Sequence, residues 1–384
     1  MRTSTSTSIT DIDPAAWDAL DQGGSPFLRH AFLVALEETG CVGRRTGWQP
    51  VPIALYDEHG LAAAAPAYIK THSMGEFVFD HYWAQAYAQH GLAYYPKLLI
   101  GVPFTPATGA RLLVRPGLDA PEVRARLVGA IREFAESHAF SSVHALFVDT
   151  DSRLAFTAAG WLARRDVQFH WHNRGYRDFE HFLGEFTAEK RKKAKRERRR
   201  VAEEGIGFET VSGERLGRSD VDEMYNLQRD TFLRHVNEPY LTRAFFQKLP
   251  AIARDSLVIK RARRNDETVA ASMFFRGRDA LYGRYWGSRE QIHSLHFETC
   301  YYQGIEYCIE QGIALFDPGV QGEHKVSRGF VPATTWSMHW IVDGRFRVPI
   351  ADALRHEGLY RDAYAREVEA HVPYRDQRRG ARSR

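Results

Sequence analysis

The sequence predicts an α/β (α+β layered) protein of two domains, 1–172 and 173–384, each a mixed sheet flanked by helices. Three observations lead there. A chain of 384 residues is long enough for two hydrophobic cores. A hydrophobic share of 44% with 12% aromatics belongs to a folded globular chain, not a disordered one. Short apolar runs bounded by turn residues alternate with helical patterns in both halves, in a similar order.

In chain order, residues 11–40 read as helical, with Pro14 after Asp13 in a first turn, a second helix over 26–38, and Gly40 closing it. The runs 51–56 and 61–69, separated by DEHG, predict a hairpin. Residues 71–114 are dense in aromatics and broken by Pro96, Pro103 and Pro106, which predicts a long loop. An amphipathic helix follows to about 138, then a strand at 143–148, a short helix at 152–159 and a strand at 167–172. The second half runs through a charged helix at 187–204 ended by Gly205, a strand at 207–211 and a helix at 220–234. Strands at 257–262, 268–275 and 280–286 come next, with a further strand at 335–340 and a last helix at 350–371.

Between them lies the stretch 294–330, which holds most of the chemistry. Phe297, Cys300, Tyr301, Ile305, Cys308 and Ile309 repeat at three- and four-residue steps, as on a one-sided helix. Gly312 supplies a left-handed cap, IALF a short buried strand, and Asp317-Pro318-Gly319 a turn into the polar loop QGEHK. A polar loop at the carboxyl end of a core strand is where open α/β sheets bind ligands.

Charge is unevenly placed. Residues 190–200 hold nine Lys/Arg against one Glu, a local +8 in a chain of formal charge +4, which leaves the remainder near −4. A second Arg-rich stretch follows Tyr374. The opening MRTSTSTSITDIDP has no apolar core and carries acids, so it does not read as a secretory signal. No run approaches the roughly 20 apolar residues of a membrane helix. Cys41, Cys300 and Cys308 lack metal spacing and read as small core side chains in a reducing, cytoplasmic setting. No metal or permanently bound cofactor is expected.

The segments HSMGEFVFD (72–80), YPKL (95–98), PFTP (103–106), FETCYYQGIEYC (297–308), QGEHK (321–325) and RGF (328–330) together resemble the FemAB-like family of peptidoglycan biosynthesis/recognition proteins, predicted N-acyltransferases. The resemblance covers about 25–375 and implies two tandem GNAT-type acyltransferase domains. It also implies that Asp80, His81, Trp83 and Arg111 serve a substrate, and that the basic run corresponds to basic residues of relatives using aminoacyl-tRNA. No Gln/Arg-x-x-Gly-x-Gly/Ala loop follows the strand ending at Trp286, so acyl-CoA and aminoacyl-tRNA both stay open as the co-substrate that donates the acyl group.

N-acyl transfer needs a deprotonated amine, a polarised carbonyl, and the two held together. His324 and Glu323 are the candidate bases, since His titrates near neutrality and burial raises a Glu; the alternative is that both only order their loop. The helix start at Ser294 and His296 offers backbone N–H groups to an oxyanion or phosphate. Gln321, Lys325 and Arg328 offer contacts to donor or acceptor, against a surface salt bridge for the cations. Glu298, Tyr302 and Glu306 share one helix face and either line an amine cleft or are simply solvated. Trp83, Tyr87, Tyr94 and Tyr95 either wall an acceptor cleft or form core.

Lys190, Arg191, Lys192, Lys193, Lys195 and Arg196 are candidate polyanion contacts, toward tRNA or an anionic membrane surface, against an ordinary solvated face. The function expected is transfer of an acyl or aminoacyl group to a small-molecule or lipid-linked amine. The rivals are a non-catalytic binding protein for a peptidoglycan precursor, RNA or anionic lipid, and a small-metabolite acetyltransferase.

Overall fold

The computed structural model describes residues 1–234, 236–320 and 322–375. It divides into two compact units, Met1–Asp166 with Thr334–Arg361, and Val167–Ala333 with the chain from Asp362 on.

In the first unit the expected hairpin forms from Ile53–Asp57 and Gly60–Ala65, flanked by Arg2–Thr5 and Leu113–Val114. The predicted run 61–69 is not one strand. Pro66, which has no N–H to give a ladder, ends it, and Ala67–Lys70 enters a second sheet beside Trp48–Pro50 and Lys97–Ile100. Lys97–Ile100 runs parallel to Ser142–Ala145, which pairs with Val331–Ile341 by placing Met338 opposite Ala145. The helix Ala120–Ser137, capped by Asp119 onto the Glu122 N–H at 3.2 Å, covers this unit's core with Val123, Leu127, Val128 and Ile131.

The expected loop 71–114 contains a helix, His81–Gln89, and the strand Lys97–Ile100. Both are short, and the prolines around them mask their periodicity. Residues 26–29 stay outside the helix His30–Glu38. A cut at 172/173 also misplaces the return segment 334–361, which belongs with the first unit. Its Ile341, Phe346, Ile350 and Leu354 pack around Trp83, Tyr87 and Tyr94. Long-range strand pairing decides this, and local patterns do not carry it.

The second unit is an antiparallel meander of Gly207–Ser212, Leu257–Arg264, Glu267–Arg276 and Ala280–Ser288. Asn265 and Asp266, at φ 50° and 64°, make the two-residue turn of one hairpin. The last meander strand then runs parallel to Leu315–Asp317, but only from Ala280 to Tyr282. One residue beyond, the meander strand bulges: Phe274 faces Gly283 and Met273 faces Tyr285, leaving Arg284 as the extra residue. Helices Arg218–Arg234 and Arg243–Ile252 complete the meander side; the second was not read from the sequence, where Pro250 interrupts its pattern.

The expected 294–310 helix is interrupted. Ser294 is left-handed at φ 69°, Leu295–Phe297 is α-helical, Glu298–Tyr302 is a π-turn, and Gln303–Glu310 is α-helical again. Gly312 adopts the predicted left-handed conformation at φ 65°. Among the described residues, no helix is long and apolar enough to cross a membrane.

Candidate functional site

The basic helix, Ala188–Glu203, has two unlike faces. Ala194 and Val201 are its buried apolar positions, too few to hold it by burial alone. Ion pairs do the rest. Glu197, the one acid among the nine cations, is buried and takes Arg328 in a two-pronged contact at 2.8 and 3.1 Å, while the Tyr302 hydroxyl donates to it at 2.7 Å. Arg198 donates to both Glu298 at 3.2 Å and Glu306 at 3.0 Å and lies over the Phe179 ring. Glu298, Tyr302 and Glu306 therefore do share one face, as predicted, but the basic helix covers it. Burial raises the Glu298 carboxyl and Arg198 opposes the shift. Arg328 likewise is an interior ion-pair partner, not a free anion-binding group.

The outer face carries Lys192, Arg196 and Arg200, all exposed and four residues apart. A rise of 1.5 Å per residue makes this a stripe of about 12 Å. Among the described residues these three, Arg191 and Lys193 enter no ion pair, whereas Lys190 has Glu189 at 3.9 Å and Lys195 has Glu180 at 2.5 Å.

The π-turn and the loop Glu323–Arg328 bring His296, Phe297, Tyr301 and His324 together. The Tyr301 hydroxyl lies 2.8 Å from His324 Nε2, and the His296 ring stands edge-on to Trp286 at 4.8 Å and to Tyr301 at 5.3 Å. His324 is exposed and His296 partly so. Burial, then the positive charges of Lys325 and Arg328, hold the His324 pKa below its usual value. Burial, with His324, Arg328 and Lys325 adding, brings His296 down to about 4. Both rings are thus kept neutral, the state that can accept a proton. Glu323 points elsewhere: it is exposed and accepts from the Tyr364 hydroxyl at 2.7 Å.

Behind this cluster Lys325 is 1% exposed, donates to the Gly319 carbonyl, and is lowered to about 8 by burial against the pull of Asp317. Asp317 receives the Gly319 N–H at 2.9 Å and faces His170 at 3.8 Å. Lys325 therefore pins the turn from inside. Trp286 lies on the meander strand past Tyr282, where pairing with Leu315–Asp317 has ended and side chains are only partly buried. The bulge at Arg284 and the histidine cluster thus adjoin one divergence between parallel strands.

In the first unit, of the residues tied to substrate by resemblance, His81 is exposed at the start of its helix, while Asp80, Trp83 and Arg111 lie inside. Asp80 is buried and bonded to Lys97 and the Tyr94 hydroxyl; burial alone would raise its carboxyl, but Lys97 holds it below the ordinary range. Trp83 stacks on His144 at 5.8 Å beneath Arg164, and Tyr87 stacks on Phe346 at 3.9 Å. Arg111, 1% exposed, gives its N–H groups to the Leu146, Ala110 and Ala107 carbonyls. These are interior supports, not the walls of an open cleft.

Sequence reading missed the network they belong to: Lys97 to Glu76 at 2.8 Å, Tyr94 to His144 at 3.1 Å, and His144 to His339 at 2.7 Å. Burial brings His144 to about 3 and Lys70 to about 7, and raises Glu76 to about 7. Glu197, Arg198 and Tyr301 were missed as well, the first two inside a charge run and the third inside an apolar stripe. Gln321 and the Arg-rich stretch beyond residue 375 lie outside the described residues. Among those described, no group of His, Cys, Asp and Glu is arranged to hold a metal.

The profile of the FemAB-like family, described as peptidoglycan biosynthesis/recognition, matches residues 8–376. Among solved structures, FemX superimposes over 91% of this chain and 100% of its own, at 11% identity and a TM-score of 0.52. L-PGS from Bacillus licheniformis covers 84% of this chain and 94% of its own at 13% identity and a TM-score of 0.49. A tandem GNAT protein from the clavulanic acid biosynthesis pathway covers 88% and 98% at 11% identity and a TM-score of 0.44. No curated protein matches the sequence. The fold is mixed α/β, with mixed sheets flanked by helices, and is like that of FemX.

Proposed function

Because the chain belongs to the FemAB-like family of peptidoglycan biosynthesis/recognition proteins, we propose that it is a transferase moving an acyl or aminoacyl group to an amine of a cell-envelope precursor, small or lipid-linked. The observation that carries this reading is the convergence of neutral His324 and His296 on a strand divergence with a bulge at Arg284. Backbone N–H groups at the bulge and in the helix's first turn, at His296 and Phe297, would polarise the acyl carbonyl. The amine nitrogen attacks the carbonyl carbon, the C–N bond forms, and the C–O or C–S bond to the donor breaks. His324 takes the amine proton and returns it to the departing oxygen or sulfur, so proton and charge balance.

Aminoacyl-tRNA is the favoured donor, with an acyl thioester of CoA as the alternative. The stripe Lys192–Arg196–Arg200 supports it, since among the described residues no acid pairs with those charges. The stripe has no exposed apolar flank to enter a membrane, so a lipid surface is the weaker partner. A tRNA or CoA donor is met in the cytoplasm, and that is where this reading would have the protein act. His324→Ala should cut kcat by roughly 10²–10⁴-fold, the ordinary worth of a general base, whereas Glu323→Gln should change it little. Unchanged turnover in His324→Ala removes the base assignment. Salt-sensitive RNA binding without any transfer would favour a binding protein.

A further inference from the structure

An exposed histidine on a loop normally samples several rotamers. His324 is constrained by five neighbours. Its Nε2 meets the Tyr301 hydroxyl at 2.8 Å, and its ring lies 5.6 Å from Phe297 and 6.1 Å from His296. Its own carbonyl accepts from Arg328, which Glu197 fixes in turn. Gly322, at φ +87°, runs beneath the ring, and a Cβ there would stand 2.1 Å from Cε1 and 2.2 Å from Nδ1. Only glycine permits both that backbone and that ring position.

Tyr301 is 3% exposed, so it does not reach a substrate, yet its hydroxyl points at His324, the most exposed residue of the cluster. It sits in the π-turn, where the extra residue of the wider turn sends Tyr301 toward His324 and Tyr302 toward Glu197. We infer that Tyr301 is the positioning residue for His324: its phenol oxygen accepts the Nε2 proton, leaving Nδ1 as the nitrogen that takes the proton of the acceptor amine. This rests on the reading of His324 as the base. The arrangement is that of a base oriented by a third group. On protonation the same Nε2–H keeps donating to the same oxygen, so the ring need not move. The other charged and titratable groups around it are Lys325, Arg328 and His296, all basic, and Glu323, which is turned to Tyr364. Tyr301 is thus the neutral acceptor for the imidazolium, and removing it should make that form harder to reach.

The test is a long-range ¹⁵N NMR titration of the full chain labelled at histidine, with His324→Ala for assignment. Wild type should show His324 with Nε2 protonated and Nδ1 bare. Tyr301→Phe should mix the tautomers and lower the His324 pKa by roughly 0.5–1 unit, the worth of one hydrogen bond. The acid limb of turnover should move by the same amount, with kcat falling and KM unchanged. A wild-type Nδ1–H tautomer, which needs no variant to observe, overturns the inference, as does an unmoved His324 in folded Tyr301→Phe. If the tautomer is as stated but His324→Ala keeps full turnover, the base reading fails while the hydrogen-bond assignment stands.

Discussion

Replacing Glu197 with alanine tests how the basic helix is held. Glu197 is 6% exposed and Arg328 2%, and the carboxylate accepts at 2.8 and 3.1 Å from the guanidinium and at 2.7 Å from Tyr302. Deleting it leaves a guanidinium without its counter-ion and a phenol proton unpaired in the interior. Losing one partner of a buried pair costs about 3–5 kcal/mol. In a unit of this size each kcal/mol lowers the midpoint by roughly 2–4 °C, so the transition should fall by about 6–20 °C. Differential scanning calorimetry reads this directly. The double variant Glu197→Ala/Arg328→Met removes the stranded charge as well, so its loss should be smaller than the sum of the single losses by about 0.5–3 kcal/mol. Lys192→Ala on the outer face should stay within about 0.5 kcal/mol of wild type. A cost below about 1 kcal/mol for Glu197→Ala, or strict additivity in the double variant, would mean the pair behaves as a solvated bridge, and the reasoning would fail.

Two further outcomes follow from the same charges. His296 has its folded pKa depressed from 6.5 to about 4, so its contribution to stability is present above pH 6.5 and lost as pH falls toward 4; His296→Gln should flatten urea-unfolding stability against pH over that window, and an unchanged slope would show that burial does not act on this ring. Charge removal at Lys192, Arg196 and Arg200 together should weaken tRNA binding and reduce the log–log salt slope by about 2–3, given roughly 0.7–0.9 per phosphate contact; an unaltered slope in a filter-binding titration would clear the stripe of any role.

The elements that local chemistry dictates were legible: the helix over 120–137 from its Asp119 cap, the hairpin at 53–65, and the left-handed Gly312. What stayed hidden was set by distant pairing. Nothing near Met338 announces Ala145 as its partner, and so the return of 334–361 to the first unit could not be read. The site followed the same rule. The loop at 321–328 was conspicuous because its polar residues are contiguous, but Arg328 reads as surface charge until Glu197, 131 positions away, is placed against it. Tyr301 kept the spacing of an apolar stripe, and that spacing hides a hydroxyl with a partner. The reverse error occurred at Asp80, Trp83 and Arg111, where polar and aromatic residues read as a site are interior supports. Burial satisfied by hydrogen bonds looks the same in sequence as a binding group.

The basic helix shows why a charge run should be divided before it is interpreted. Of its cations, Arg198 is spent inward on Glu298 and Glu306, and Glu197 reaches through Arg328 to the main chain of His324. The outer stripe touches none of these groups. Substitutions at Lys192, Arg196 and Arg200 should therefore weaken polyanion binding while leaving transfer from a small acyl donor intact. Substitutions at Glu197 or Arg198 should disturb transfer from any donor, large or small. Assaying both variant sets with a tRNA-linked and a minimal acyl donor separates the two faces. Equal losses on both donors from the outer-face set would show that the stripe and the His324 loop act as one unit, against the division that the ion pairs draw.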